Sequence, residues 1–507
     1  MQQPLAPNVW DVQQTSWSNN DMPPRECARE DSSVSNPRRC SQFTFRHLSQ
    51  MASCIPSSPL RVVAHIDLDC FYAQVEMVRL GIAEDTPFAV QQWQGLIAVN
   101  YPARSYGIGR HCTITEAKKL CPKLITQHVA TWREADGKWA YREDPQVATD
   151  KVCLDPYRSE SRKILVLIKE LLPHGLQRVE KASIDEVFLD LSAHVHAILL
   201  ERFPELLSPQ PHRDLSELLP LPPISDLDWQ ADTLVDAGDS DNKTLAILDP
   251  DWDDVAFYVA SGIVRHLRSS IKEKLGYTCS AGIARNKLLS KLGSSYKKPN
   301  QQTVIRNRAV AHFLSGVKFT KIRNLGGKLG EQVSRAFNTD SIPDLLTVPI
   351  EQMKVKLGDE TAIWLYNTLR GVDMSEVNPR IQIKSMLSAK SFRPTLTTID
   401  QAVRWLRIFA ADIFSRLVEE GVLEHRRHPK TINLHYRPLG GQARSRSCPI
   451  PQGRALDDGT LFDLAKTLLT HIVQDGNVWP CAGLSLSVGS FEDSVSAIVC
   501  EHNLLKT

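Results

Sequence analysis

The residues best suited to chemistry are carboxylates in two short apolar settings. Asp67 and Asp69 follow Val62-Val63-Ala64, which reads as a short buried strand, and precede Phe71 to Leu80, which reads as a helix with Val75, Met77 and Val78 on its apolar side. Two acids at a strand-to-helix turn suit a hard cation such as magnesium, which prefers oxygen ligands. A solvated turn or a helix cap fits the same spacing. Asp185 and Glu186 stand side by side within Ala182-Ser183-Ile184-Asp185-Glu186-Val187-Phe188-Leu189-Asp190-Leu191. Neighbours on a regular strand point to opposite faces, so both acids serve one site only if the chain turns there, at the tip of a hairpin. Clustered acids repel unless protonated or bound to cations. The two stretches together point to a two-metal site for phosphoryl transfer, in which paired ions clamp the attacking and leaving oxygens.

The elements that must position these acids form several domains, because 507 residues are too many for one core. No run of about 18 apolar residues indicates a membrane span. The start of the chain lacks a secretory pattern. The 11 cysteines include no C-x-x-C pair, which argues against a zinc finger or disulfide framework. The net charge of +2 conceals a pattern. From Arg265 to Arg335 there are 16 Lys or Arg against 2 Glu, a surface fit for a polyanion or simply a solvated lysine-rich face. From Glu201 to Asp254 there are 14 acids against 3 bases, a block expected to loop away from nucleic acid.

In chain order, residues 1–60 are rich in Ser, Pro, Asn and Gln and read as a disordered extension. Residues 61–77 supply the first strand and helix. Residues 78–149 form a small lobe with paired strands at 87–91 and 96–100. Residues 150–315 return to the acid-bearing layer, with a helix at 161–172, the hairpin at 179–191 and a helix at 255–275. An acidic insertion at about 193–250 reads as a partly disordered loop. Lys287 and Lys291 then share one helix face, four residues apart. Residues 316–380 read as a small helical domain around Leu325-Gly326-Gly327-Lys328-Leu329-Gly330, where glycines at a tight turn let amides approach phosphate. Lys318, Lys321 and Arg323 strengthen that reading. Residues 381–498 alternate with period 2 in three places and carry two amphipathic helices. They read as an α+β module with one polar face bearing Lys384, Lys390, Arg393 and Arg437.

Asp67-Leu68-Asp69-Cys70-Phe71-Tyr72-Ala73-Gln74-Val75-Glu76 and Ala182-Ser183-Ile184-Asp185-Glu186 resemble the two metal-binding motifs of the Y-family translesion DNA polymerases. Three further stretches narrow the resemblance to the eta branch. They are Ala98-Val99-Asn100-Tyr101-Pro102-Ala103-Arg104, Lys298-Pro299-Asn300, and Ile322-Arg323-Asn324-Leu325-Gly326-Gly327-Lys328-Leu329-Gly330. The resemblance implies an α+β multidomain right hand: palm (61–77 and 150–315), small fingers (78–149), helical thumb of helix-hairpin-helix type (316–380) and α+β little finger (381–498).

It also implies a reaction and a site. The reaction is template-directed addition of deoxynucleotides to a primer 3′ end, past ultraviolet thymine dimers and without proofreading. Two Mg²⁺ ions, with Mn²⁺ as a substitute, would be held by Asp67, Asp185, Glu186 and the Leu68 carbonyl, leaving Asp69 and Asp190 structural. Tyr101, Arg104, Arg110 and Lys298 would contact the triphosphate. Tyr72 would be the gate against a 2′-hydroxyl, and Gln92 would reach the templating base. Lys287, Lys291, Gly326, Gly327, Lys328, Gly330, Lys384 and Arg393 would contact DNA. The implied partners are primer-template DNA and deoxynucleoside triphosphates in the nucleus, with no membrane. Relatives of the eta type commonly carry a ubiquitin-binding zinc finger and a tail for the replication sliding clamp, neither of which is evident by Thr507. Another lesion preference within the family, or an inactive DNA-binding scaffold on a polymerase core, are the rival readings.

Overall fold

The computed structural model describes residues 40–207, 214–230, 232–237, 250–379, 383–423, 427–451, 456–476 and 478–493. The chain is a mixed α/β protein that divides into two compact units, Met1–Asp69 with Lys163–Pro379, and Cys70–Arg162 with Arg380–Thr507.

The first unit is built on a six-stranded sheet. Its strands run in the order Thr233–Val235, Gln302–Ile305, Cys279–Ala284, Val63–Leu68, Glu186–Asp190 and Arg178–Lys181. The first three are parallel to one another; the Val63–Leu68 strand runs against both its neighbours. Val63, Ala64, Ile66, Ala281 and Ile283 are fully buried, as central strands require. The Trp252–Leu275 helix starts on Asp251, whose carboxylate accepts from the Trp252 amide, and ends at Gly276 in a left-handed conformation. The Lys287–Tyr296 helix lies unusually close to the sheet. A Cβ on Gly282 would stand 2.0 Å from the Ser290 carbonyl oxygen, so only glycine permits this approach. A hydrophobic core shared with the sheet layer joins Ala284, Leu289 and Ile305 to Leu325, Val333, Met353 and Leu365 of the helices after residue 310.

Two expectations for this unit need correction. Residues 1–39 lie outside the described residues, but 40–60 are ordered. Cys40–Thr44 is a strand and Phe45–Ala52 a helix that buries Phe45, Leu48 and Met51. Thr44 and His47 close a capping box, and Ser41 donates to the buried Asp251 carboxylate at 2.6 Å. The acidic insertion is also built into the fold, its residues 208–213, 231 and 238–249 aside. Leu218–Pro220 pairs with the Cys40–Thr44 strand, and Thr233–Val235 forms an edge of the main sheet. At least one of its acids is paired within the fold: Asp236 accepts from Arg306 at 2.9 Å and Arg308 at 2.6 Å. Arg306 is almost wholly buried, and a buried guanidinium needs carboxylates beside it.

The second unit contains the Phe71–Leu80 helix and a three-stranded sheet of Gly95–Val99, Phe88–Gln92 and Ile125–His128. A four-stranded antiparallel sheet follows, in the order Ser385–Leu396, Cys481–Asp493, Arg427–Pro438, Arg444–Pro449. Its inner face packs on the Ile399–Glu419 and Asp458–Gln474 helices through Phe409, Leu434, Leu468 and Leu486. The Arg444–Pro449 strand has an exposed, serine- and arginine-rich pattern, and so carried no apolar alternation to reveal it. Trp132, expected in a separate small lobe, and Cys153, expected in the acid-bearing layer, join the core of this module.

Candidate active site

The acids meet because of strand register. Asp67 lies directly opposite Glu186 on one neighbouring strand and opposite Ser280 on the other. Cross-strand partners share a face, so the Asp67 and Glu186 carboxylates project together. Asp185 occupies the hairpin turn between Arg178–Lys181 and Glu186–Asp190, as two adjacent acids at one site require. Its carbonyl accepts from the Leu68 amide at 3.0 Å, stitching the two acidic stretches side by side.

Two ammonium groups neutralise this cluster. Lys298 contacts Asp67, and Lys291 Nζ lies 2.5 Å from Glu186 Oε2. Burial lifts the Asp67 carboxyl to about 6, against the pull of Lys298 and with further lift from Glu186 and Asp185. Glu186 goes the other way, held near 2 by His65 first and then Lys291 against the cost of burial. The His65 Nε2 to Glu186 Oε2 separation is 3.6 Å, too long for a hydrogen bond, so Lys291 is the partner that holds Glu186. His65 is fully buried, hydrogen-bonded through Nδ1 to Ser294 Oγ at 2.7 Å and stacked at a tilt on Phe188. Burial holds it neutral, with its pKa down near 4. Sequence reasoning passed over His65, although it lies two residues before Asp67 and therefore on the same strand face.

The donors at this site are carboxylates and backbone carbonyls, a set suited to Mg²⁺. An acid with a pKa lifted to about 6 despite the Lys298 ammonium beside it is also what a cation would relieve. The residue types therefore suit a divalent cation, although among the described residues no three acids, histidines or cysteines are gathered closely enough to hold one as they stand. A cavity of about 630 Å³ opens beside Asp67 and Glu186, walled by Phe188 and Trp364 and edged by Lys321 and Arg323. Asp69 and Asp190 have partners of their own, and Asp69 also lies 3.9 Å from the Lys298 ammonium that contacts Asp67. Asp190 accepts from the buried Arg61 at 3.1 Å, and Asp69 accepts from Ser280 and the Asn300 amide.

Other expected contacts fall differently. Lys287 does not project to solvent: it donates to both oxygens of Glu180, at 2.9 and 2.8 Å, and to the Glu376 carbonyl. Lys291 belongs with the acids rather than a duplex. Gly330 is buried, because a Cβ there would stand 1.9 Å from the Leu325 carbonyl oxygen, so it is a packing position. Gly326, Gly327 and Lys328 are exposed at the start of the Lys328–Phe337 helix. In the second unit Tyr72 stacks on Tyr157 with ring centres 4.1 Å apart. Tyr101 opens the Tyr101–Arg104 helix, with the Arg104 guanidinium over its ring. Gln92 ends its strand half-buried; Arg110, Lys384 and Arg393 are exposed.

Acids on a strand and hairpin tip, flanked by lysines and followed by a glycine-turn helical module, are an arrangement suited to phosphoryl transfer on a nucleic-acid substrate. Sequence comparison gives that arrangement its family. The impB/mucB/samB family model matches residues 66–295, and its C-terminal domain matches 383–498. The model for the helix-hairpin-helix motif of DNA polymerase eta and Rev1 matches 318–372. DNA polymerase eta of Saccharomyces cerevisiae is 31% identical over 523 residues, covering 89% of this chain and 80% of the yeast protein. DNA polymerase eta of Arabidopsis thaliana is 31% identical over 460 residues, covering 86% and 64%. N-acetyltransferase eso1 of Schizosaccharomyces pombe is 44% identical over 452 residues, covering 88% of this chain but 50% of that protein. The chain thus spans half to four-fifths of these relatives' lengths. It belongs to the Y-family of DNA polymerases, in the eta branch.

Proposed function

We propose that this chain is a template-directed DNA polymerase specialised for synthesis past ultraviolet thymine dimers, working in the nucleus on primer-template DNA and deoxynucleoside triphosphates. The observation that carries this reading is the register that sets Asp67 opposite Glu186, with Asp185 tied to Leu68 beside them. We read the acid-bearing sheet as a palm, residues 78–149 as fingers, 316–380 as a thumb and 381–498 as a little finger.

Two Mg²⁺ ions held by Asp67, Asp185, Glu186 and the Leu68 carbonyl would supply charge neutralisation and acidify the primer 3′-hydroxyl. The chain's own groups do the rest. Lys291 holds Glu186 ionised and oriented. Lys298 offers its ammonium to the triphosphate, assisted by Tyr101, Arg104 and Arg110, whose guanidiniums suit phosphate oxygens. Tyr72, whose ring stacks on Tyr157, would be the gate against a 2′-hydroxyl. Gln92 meets the templating base. Lys318, Lys321, Arg323 and Lys328, with the Gly326-Gly327 turn, track a duplex backbone without reading its sequence.

Primer extension tests the reading, using templates that are undamaged or carry one cis-syn thymine dimer, with Asp185→Ala/Glu186→Ala as control. Extension through the dimer by the wild type alone is expected. A stop at the dimer would leave a polymerase of another lesion preference. DNA binding without extension on either template would leave a scaffold.

A further inference from the structure

A buried carboxylate that this chemistry leaves unused lies two residues after Asp67. Asp69 is 1% exposed. Ser280 Oγ donates to its Oδ1 at 2.8 Å, and the Asn300 amide donates to its Oδ2 at 2.8 Å. Asn300 is held at φ 51°, and Arg268 donates to its side-chain oxygen at 2.9 Å. Lys298 lies two residues before Asn300. Its Nζ is 3.9 Å from Asp69 Oδ1 while it contacts Asp67. One carboxylate thus grips a central strand through Ser280 and, through a main-chain amide, the loop that carries the lysine.

We propose that Asp69 is a positioning residue: through the Asn300 amide it fixes the Lys298 loop, and so sets where that ammonium meets the incoming triphosphate. The inference rests on the polymerase reading and deepens it. A lysine side chain is long and rotatable, so where its ammonium spends its time depends on where the loop holds its Cα and on nearby charge. Asp69 supplies both. It anchors the loop two residues away, and its negative charge at 3.9 Å favours conformers of Lys298 that face the acids over conformers in solvent. An interaction that places a substrate-binding group, without joining the chemistry, changes substrate KM more than turnover.

The test is a mutant cycle read by steady-state extension on undamaged DNA, with melting curves to establish folding. Asp69→Ala is expected to raise the deoxynucleotide KM about tenfold while kcat stays within about threefold. Asp69→Asn, which keeps an acceptor for the Asn300 amide, should restore most of that KM. Added to Lys298→Ala, Asp69→Ala should move KM less than about twofold, because both act through one ammonium. Additive KM effects in the double variant, or a loss in kcat with KM unchanged, would overturn the inference. Should Asp69→Ala melt below the assay temperature, Ser280→Ala replaces it. It is expected to raise KM about threefold and to have no effect on the Lys298→Ala background; an unmoved KM would refute the proposal. A wild type that extends no primer sinks the polymerase reading and this inference with it, whereas an active wild type with an additive cycle sinks the inference alone.

Discussion

Asp67 and Glu186 face each other across one pair of strands yet titrate in opposite directions, and the cause is their neighbours. Asp67 is desolvated, and its carboxyl rises to about 6. Glu186 has His65 and Lys291 and falls to about 2. The signs follow from linkage. A carboxyl raised on folding binds its proton more tightly in the folded state, so Asp67 lowers stability as pH rises from about 4 to about 6. That cost is roughly 3 kcal/mol at neutral pH, from about two units at 1.36 kcal/mol each. Glu186 contributes stability above its unfolded pKa and loses it only as pH falls from about 4.5 toward 2. Between pH 4 and 6 Asp67 contributes a falling slope that opposes the rise from His65, whose pKa burial lowers to about 4, so Asp67→Asn should turn the slope in thermal melts toward rising stability. The same proton competes with a cation for Asp67. Activity at limiting Mg²⁺ should therefore fall below about pH 6, and a higher Mg²⁺ concentration should move the midpoint to lower pH. A kcat/KM profile with the same midpoint at both Mg²⁺ concentrations would refute this.

At the scale of elements, the site depends on how closely the Lys287–Tyr296 helix lies on the sheet. Lys287 and Lys291 reach Glu180 and Glu186 because Gly282 has no side chain to hold the helix off. Gly282→Ala inserts a methyl group 2.0 Å from the Ser290 carbonyl, so the helix must shift. The expected cost is about 1–3 kcal/mol, as for other overpacked sites, with activity reduced through loss of the Lys291 contact. A melt and extension rate both equal to wild type would show the helix is not held there. The acids, their hairpin and the Lys287–Tyr296 helix were legible in sequence because each is a local pattern: apolar strands, a turn between adjacent acids, lysines four apart. The partners were not. That Lys287 meets Glu180, 107 residues earlier, is a product of strand order, which no local pattern encodes. The Cys40–Thr44 strand was missed because its polar residues, Ser41 among them, satisfy a distant buried acid rather than solvent. The insertion looked disordered because its strands have only three residues each, too few to display alternation.

At the scale of the whole molecule, the net charge of +2 says little about DNA, and even the 16 cations from Arg265 to Arg335 overstate the surface available to it. Arg306 and Arg308 are claimed by Asp236 and Asp254, Arg265 lies against Asp232, and Lys287, Lys291 and Lys298 each face a carboxylate. The insertion's acids thus tie down arginines that would otherwise present unpaired charge. Lys318, Lys321, Arg323 and Lys328 are a different set, exposed around the glycine turn. Each phosphate contact that releases a counterion contributes about 0.9 to the slope of log affinity against log salt. Replacing these four with Gln should therefore flatten the slope for duplex DNA by about 3 to 4 and weaken binding alike for all sequences. Arg308→Gln should leave the slope unchanged, because its charge is already met by Asp236 at 2.6 Å. Fluorescence anisotropy over a salt series reads both. A slope that drops as much for Arg308→Gln as for a single thumb lysine would mean that the arginines beneath the insertion also face DNA, and that the acids do not screen them.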